Sequence, residues 1–243
     1  GGKKAMLGGI SSALSALKSF SKKINNTANN VANINSAGFK KRVTSFQESG
    51  KLKGVQIASN QAVNTQGPLI PTNNPLNIAV NGRGFLRVGL PDGGTGYTRD
   101  GNLKKDSTGR LVTSNGNPVL PEIVIPGNST GVSISSSGQV SASVNGQNQV
   151  IGQIELSSFQ NSGGLTSLGS NLFNVSNASG AAVNGNPGSG GLGTIIQGSI
   201  ESSNVDIVEE SVNLITASAG YKANINVIKA QDELLGTILD IKK

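Results

Sequence analysis

The residues best suited to chemistry are few, and they cluster. Tyr97-Thr98-Arg99-Asp100-Gly101 puts a phenol, a hydroxyl, a base and an acid side by side. Gly82-Arg83-Gly84 sets a cation between glycines, as a phosphate-cradling loop would, and Lys40-Lys41-Arg42 is a basic run. Proton-transfer catalysis most often uses histidine, and covalent catalysis needs an activated nucleophile. The sequence has no histidine and no cysteine. That removes the commonest general base and metal ligand, along with thiolate sites and disulfides. Only a carboxylate-only or lysine-based enzyme is left open. Gly82-Arg83-Gly84 also lacks the wider glycine pattern and following helix of a phosphate loop. We therefore expect a strand-to-strand turn at 82–84, a hairpin turn at 97–101 and a solvated or subunit-facing charge run at 40–42. No cofactor, no metal site and no enzymatic activity are expected.

The 243 residues suit one or two domains. Aromatic residues make up 3% of the chain and glycine contributes 34 positions, so tight turns and small aliphatic packing should dominate. Net charge is +7, and its ends have opposite sign. Residues 1–53 carry ten Lys or Arg against Glu48 alone, whereas 201–243 carry four Lys against seven acids. Nucleic-acid binding would want aromatics interleaved with the basic residues, and only Phe20, Phe39 and Phe46 lie near them. End-to-end electrostatic matching is the preferred reading. No run of about 18 apolar residues exists, so no membrane insertion is expected. Met6-Leu7-Gly8-Gly9-Ile10 is too short an apolar core for a cleaved secretory signal, and Gly1–Ala5 reads as an extension before a start at Met6.

The elements that would position these residues fall into three regions. Met6–Ile34 predicts a helix with a heptad seam of Leu7, Ile10, Leu14, Leu17, Ile24, Ala28 and Val31. Asn25, Asn26, Asn29, Asn30 and Asn33 crowd its last turns. Asparagine is a mediocre helix former, so this end either frays or is held at a packed subunit boundary where amides fix register. Val205–Ile241 predicts a second helix with two apolar stripes. One runs Val208, Val212, Ile215, Ala219, Ala223, Val227, Ala230, Leu234, Ile238 and Ile241; the other runs Ile207, Leu214, Tyr221, Ile225, Ile228, Leu235 and Leu239. Such a wide apolar face wants more than one neighbour. Ser202, Ser203 or Asn204 is the expected cap.

Between the helices, short apolar runs alternate with Gly, Asn, Asp and Pro clusters over 68–201, the pattern of an antiparallel sheet, sandwich or partial barrel. Val132-Ser133-Ile134 and Val140–Val144 predict a hairpin around Ser137-Gly138, and 176–193 a flexible surface loop. The fold class is α+β. Residues 6–38 and 202–243 form a terminal helical assembly domain, with a coiled-coil-like layer. Residues 39–67 are an extended linker, and 68–201 a central β-rich domain. The expected subunit interface comprises Leu7, Ile10, Leu14, Leu17, Ile24 and Val31 with Val212, Ile215, Tyr221, Ile225, Ile228, Leu234, Leu235 and Ile238.

Four segments resemble the flagellar rod and hook protein family, in order and spacing across nearly the whole chain. The first is Ala28-Asn29-Asn30-Val31-Ala32-Asn33-Ile34-Asn35-Ser36-Ala37-Gly38-Phe39-Lys40. The second is Asn74-Pro75-Leu76-Asn77-Ile78-Ala79-Val80-Asn81-Gly82-Arg83-Gly84-Phe85, and the third Gly96-Tyr97-Thr98-Arg99-Asp100-Gly101. The fourth is Gln197-Gly198-Ser199-Ile200-Glu201-Ser202-Ser203-Asn204-Val205-Asp206. The resemblance implies a helically stacking subunit of the flagellar axis with an inner tube of terminal helices and an outer β layer. It further implies export through the flagellar type III apparatus without signal cleavage, a place in the basal body across the cell envelope, and other rod and hook subunits as partners. The chain's length resembles a distal-type rod protein, with a proximal rod protein or short hook subunit as alternatives; Lys51–Thr72 is short for the distal type. A surface adhesin or carbohydrate-binding module is the reading from another class, weakened by the scarcity of aromatics.

Overall fold

The computed structural model describes residues 2–49 and 54–240, with side chains over 8–49 and 54–237. Two long terminal helices and an antiparallel β-rich centre give an α+β architecture. The chain divides into two compact units. One comprises Gly1–Ala32, Arg42–Gln61 and Val205–Lys243, and the other Asn33–Lys41 and Ala62–Asn204.

The helical unit holds α1 (Gly2–Ala32) and α2 (Ile207–Asp240). They run antiparallel: Phe20 abuts Gly220, and Gly9 faces Gln231 near the other end. Close approach explains the glycine, since a Cβ on Gly220 would lie 2.5 Å from Phe20 Cζ. The cap of α2 is Asp206, whose Oδ1 accepts from the amides of Val208 at 2.8 Å and Glu209 at 3.0 Å, rather than Ser202, Ser203 or Asn204. Strands Arg42–Ser49 and Gly54–Ala62 pair with each other, and the first of them packs on α1. Phe46 meets Phe20 edge to face, with centroids 5.8 Å apart.

The buried face of α1 is small and polar: Ala13, Ala16, Ser19, Asn26, Thr27 and Asn30. Its amides, with the Ser15 and Ser19 hydroxyls, serve the neighbouring strands. Asn30 donates to Arg42 O at 3.0 Å and accepts from its amide at 2.9 Å. Asn26 donates to Asn60 Oδ1 at 2.8 Å and to Thr44 Oγ1, and Ser15 Oγ accepts from the Val55 amide at 3.1 Å. Strand edges carry obligatory donors and acceptors, and asparagine supplies both. The asparagine-rich end of α1 is therefore held by partners within the chain. The segment 39–67, expected as an extended linker, is largely these paired strands.

In the β unit, one sheet orders six strands: Thr166–Gly169, Leu172–Asn174, Thr95–Thr98, Phe85–Gly89, Leu156–Ser158 and Val183–Gly185. A second joins Gln147–Gln153, Gln139–Val144 and Ser129–Ile134. The expected hairpin is present, with Val140 opposite Ile134. Its continuation turns through Asn145 and Gly146, both at positive φ (51° and 79°), as a type I′ connection requires. Two-stranded ladders pair Ile78–Asn81 with Thr194–Gln197, Leu69–Pro71 with Ser199–Glu201, and Leu103–Lys105 with Leu111–Thr113. The aliphatic core gathers Ile78, Val80, Leu86, Leu111, Ile154 and Leu156, among others. A smaller cluster concentrates half of the eight aromatic residues, Phe85, Tyr97, Phe159 and Phe173, in edge-to-face contacts 4.9–6.0 Å apart.

Two local expectations are corrected. Residues 97–101 form no hairpin turn: the strand ending at Thr98 and the one starting at Leu103 belong to different sheets, and Tyr97–Gly101 is buried throughout. The stretch 176–193 is not a free loop, because Val183–Gly185 pairs with Leu156–Ser158. Gly101 is required at its corner, since a Cβ there would collide with the Ile78 carbonyl oxygen. Gly101→Ala is expected to cost about 1–3 kcal/mol through forced backbone shifts. Gly127→Ala, with nothing within 4 Å, should be neutral or slightly stabilising. Urea midpoints of the two variants check the contrast.

Candidate assembly surface

The motif residues converge inside the β unit on one carboxylate. Glu201, fully buried, accepts from Lys40 Nζ at 2.5 Å, Arg99 Nη1 at 3.2 Å and the Gly67 amide at 2.9 Å. Lys40 also donates to Thr65 O at 2.8 Å; Arg99 donates to Val80 O at 3.2 Å and Gly82 O at 2.7 Å, and lies 5.2 Å from the Phe85 ring centroid. Gly38, at φ 66°, presses against the Arg99 backbone and donates its amide to Glu201 O at 2.8 Å. Asn204 accepts from the Lys41 amide at 2.7 Å and donates to Val63 O at 2.7 Å. Burial pulls the Lys40 ammonium below its ordinary pKa, with Glu201 opposing that shift, and the same balance lowers Arg99. Lys40 is thus no part of a solvated charge run.

This cluster can do little chemistry. Its charges are paired and it is closed to solvent, so it reads as a structural lock. Of the other motif residues, Gly84, Phe85, Tyr97, Gly101, Ser203 and Val205 are buried, Gly82 and Gly198 sit in half-buried turns at positive φ, and Leu76, Asn33 and Phe39 are half-buried. Asn74, Pro75, Ala28 and Asn29 are exposed. The sequence motifs contain Lys40, Arg99 and Glu201, but nothing in their spacing pairs them. One signal was available: from Ile123 to Ile200 the sole charged residue is Glu155, so the acids bounding and interrupting that stretch stand out. Glu155 is paired too, with Arg87 at 2.6 Å.

The helical unit presents a different surface. Every residue of one α2 stripe with a described side chain is exposed: Val208, Val212, Ile215, Ala219, Ala223, Val227, Ala230 and Leu234. Val208, Val212 and Ile215 are 69%, 58% and 70% exposed. Of the other stripe, Ile207 is exposed, whereas Leu214, Tyr221, Ile225, Ile228 and Leu235 are half-buried, with Ala217 fully buried beside them. On α1, Leu14 is exposed and Ile10, Leu17, Ile24 and Val31 are half-buried. Leu7, Ile238 and Leu239 lie outside the described side chains, and Ile241 outside the described residues. Large aliphatic residues in a row on one helix face, left in water, are the mark of an interaction site.

Three family models match the chain. Residues 10–40 match one described as flagella basal body rod protein, 79–142 the flagellar hook protein FlgE/F/G D1 domain, and 196–241 the flagellar basal body rod FlgEFG protein C-terminal region. The chain is 38% identical over 236 residues to the flagellar basal-body rod protein FlgG of Buchnera aphidicola, spanning 87% of this chain and 91% of that one. To FlgG of Borreliella burgdorferi it is 36% identical over 264 residues, spanning 98% and 100%. To the hook protein FlgE of Salmonella typhimurium it is 41% identical over 118 residues, which span 48% of this chain and 29% of that protein.

Glu201→Gln leaves two buried cations without a counter-charge, and the expected loss is about 3–5 kcal/mol in denaturant unfolding. Glu155→Gln, in the partly exposed pair, should lose about 1 kcal/mol or less.

Proposed function

From the premise that the chain belongs to the flagellar basal-body rod protein family and is a structural subunit of the rod, we propose that it assembles helically with copies of itself through its terminal helices. The observation that carries this reading is the exposed aliphatic stripe of α2. Burying the large side chains of that stripe yields on the order of 10 kcal/mol. Association itself costs about 4–15 kcal/mol of translational and rotational freedom. One contact is therefore marginal, and a lattice giving each subunit several neighbours is what the stripe suits.

The half-buried second stripe packs α2 on α1 inside one chain, and the remaining apolar width is free for other copies. The interface in this reading joins Val212, Ile215 and Leu234 of α2 with Leu14 of α1, backed by Leu17, Tyr221, Ile225, Ile228 and Leu235. The carried load is torque along the axis, passed through these helices. A distal-type rod position is supported by near full-length similarity to rod proteins, against a hook match confined to 48% of the chain. Other rod and hook subunits are the neighbours expected at the ends of such a stack. Export through the type III apparatus is the route that accompanies this position.

Concentrated wild-type protein in moderate salt is expected to form tubes or filaments of uniform width by electron microscopy. Val212→Asp with Ile215→Asp should stay monomeric, with a melting curve unchanged because both side chains are already in water. Normal polymers from that variant would contradict the assigned contact.

A further inference from the structure

The exposed stripe on α2 needs a complementary surface, and the helical unit carries one. One face of α1 and Tyr221 of α2 line a shallow, open groove of about 440 Å³. Leu14, Leu17 and Tyr221 supply its apolar surface, and Lys18 and Lys22 stand exposed along it with Ser21 between them. Leu14 is 48% exposed although it is the residue a helix would most readily bury.

We propose that this groove receives the amino-terminal half of the α2 stripe, Val208, Val212 and Ile215, from a second copy of the chain. The proposal rests on the assembly reading above and names its partner surface. Charge selects the half. Asp206 and Glu209 accompany Val208–Ile215, and α2 has no basic residue before Lys222. The carboxy-terminal half of the stripe carries Lys222 and Lys229 together with Asp232 and Glu233, a balanced set that attracts the groove lysines less than the wholly acidic start of α2. Lysine stems add apolar cover while their ammonium groups reach the incoming acids.

A protomer cannot fill its own groove in this way. Phe20 sits beside Gly220, so Val212 lies eight residues further along α2, roughly 12 Å at helical rise. Donor stripe and acceptor groove are therefore different patches of one molecule. A contact between different patches is heterologous, and it propagates into open helical assemblies instead of closing as a dimer. That outcome matches an axial subunit.

The absence of native cysteine makes a cross-linking test clean. Ser21→Cys places a thiol in the groove, and Ser211→Cys places one beside the stripe; both positions are exposed. Disulfide formation needs Cα atoms within about 7 Å, closer than the two sites come inside one chain. Under mild oxidation at polymerising concentration, the double variant should give a covalent ladder on non-reducing gels. A mixture of the two single variants should stop at dimers, and each single variant alone should give none. Polymers of wild-type appearance without cross-links would overturn the groove pairing and leave the assembly reading standing. Monomers alone at every concentration would overturn the assembly reading, and the pairing with it.

Discussion

One carboxylate holds the β unit to a single arrangement. Glu201 is reached by Lys40 and Arg99, which lie 161 and 102 residues away in sequence, and by the Gly67 amide. Two buried cations without that anion would each carry an unpaid solvation cost of several kcal/mol. The lock therefore demands that segments from the start, middle and end of the unit all be in place. Asn204 adds to it, joining the Lys41 amide to the Val63 carbonyl. In sequence, Lys41 and Asn204 are the last residues of the β unit before the chain enters the helical unit.

The helical unit follows the opposite logic. Its internal packing relies on small residues and amides: Gly220 against Phe20, Ala217 fully buried, Asn26 and Asn30 bonded to neighbouring strands. Close backbone approach uses little apolar side-chain surface, so large aliphatics remain for outside contact. Val208, Val212 and Ile215 are the result. A β unit closed by buried ion pairs and a helical unit with an exposed aliphatic stripe suit the proposed division of tasks, keeping the subunit's shape and holding its neighbours.

Much of this was legible in the sequence because it depends on periodicity. Both helices, the wide apolar face of α2 and the hairpin about Ser137-Gly138 follow from spacing alone. The seam on α1 was harder. Counting apolar residues points to Leu14, yet the chain buries Ala13 and Ala16, spaced between Gly9 and Phe20 that meet α2, and Ser19, which donates to the Val55 carbonyl. The ion lock was invisible for another reason. Arg99 beside Asp100 and Gly101 looks like a turn, and Lys40 beside Lys41 and Arg42 looks like a solvated run. Only tertiary contacts over more than a hundred residues show that both cations share Glu201.

The most direct measurement is hydrogen exchange followed by mass spectrometry on the same protein as monomer and as polymer. Assembly through the helices predicts strong new protection of α2 amides, over Ile207–Asp240, with little change in the β-unit core around Ile78, Leu86 and Leu156. Protection appearing instead in the β unit, with α2 exchanging at its monomer rate, would contradict the central claim that the exposed stripe is the surface on which the axis is built.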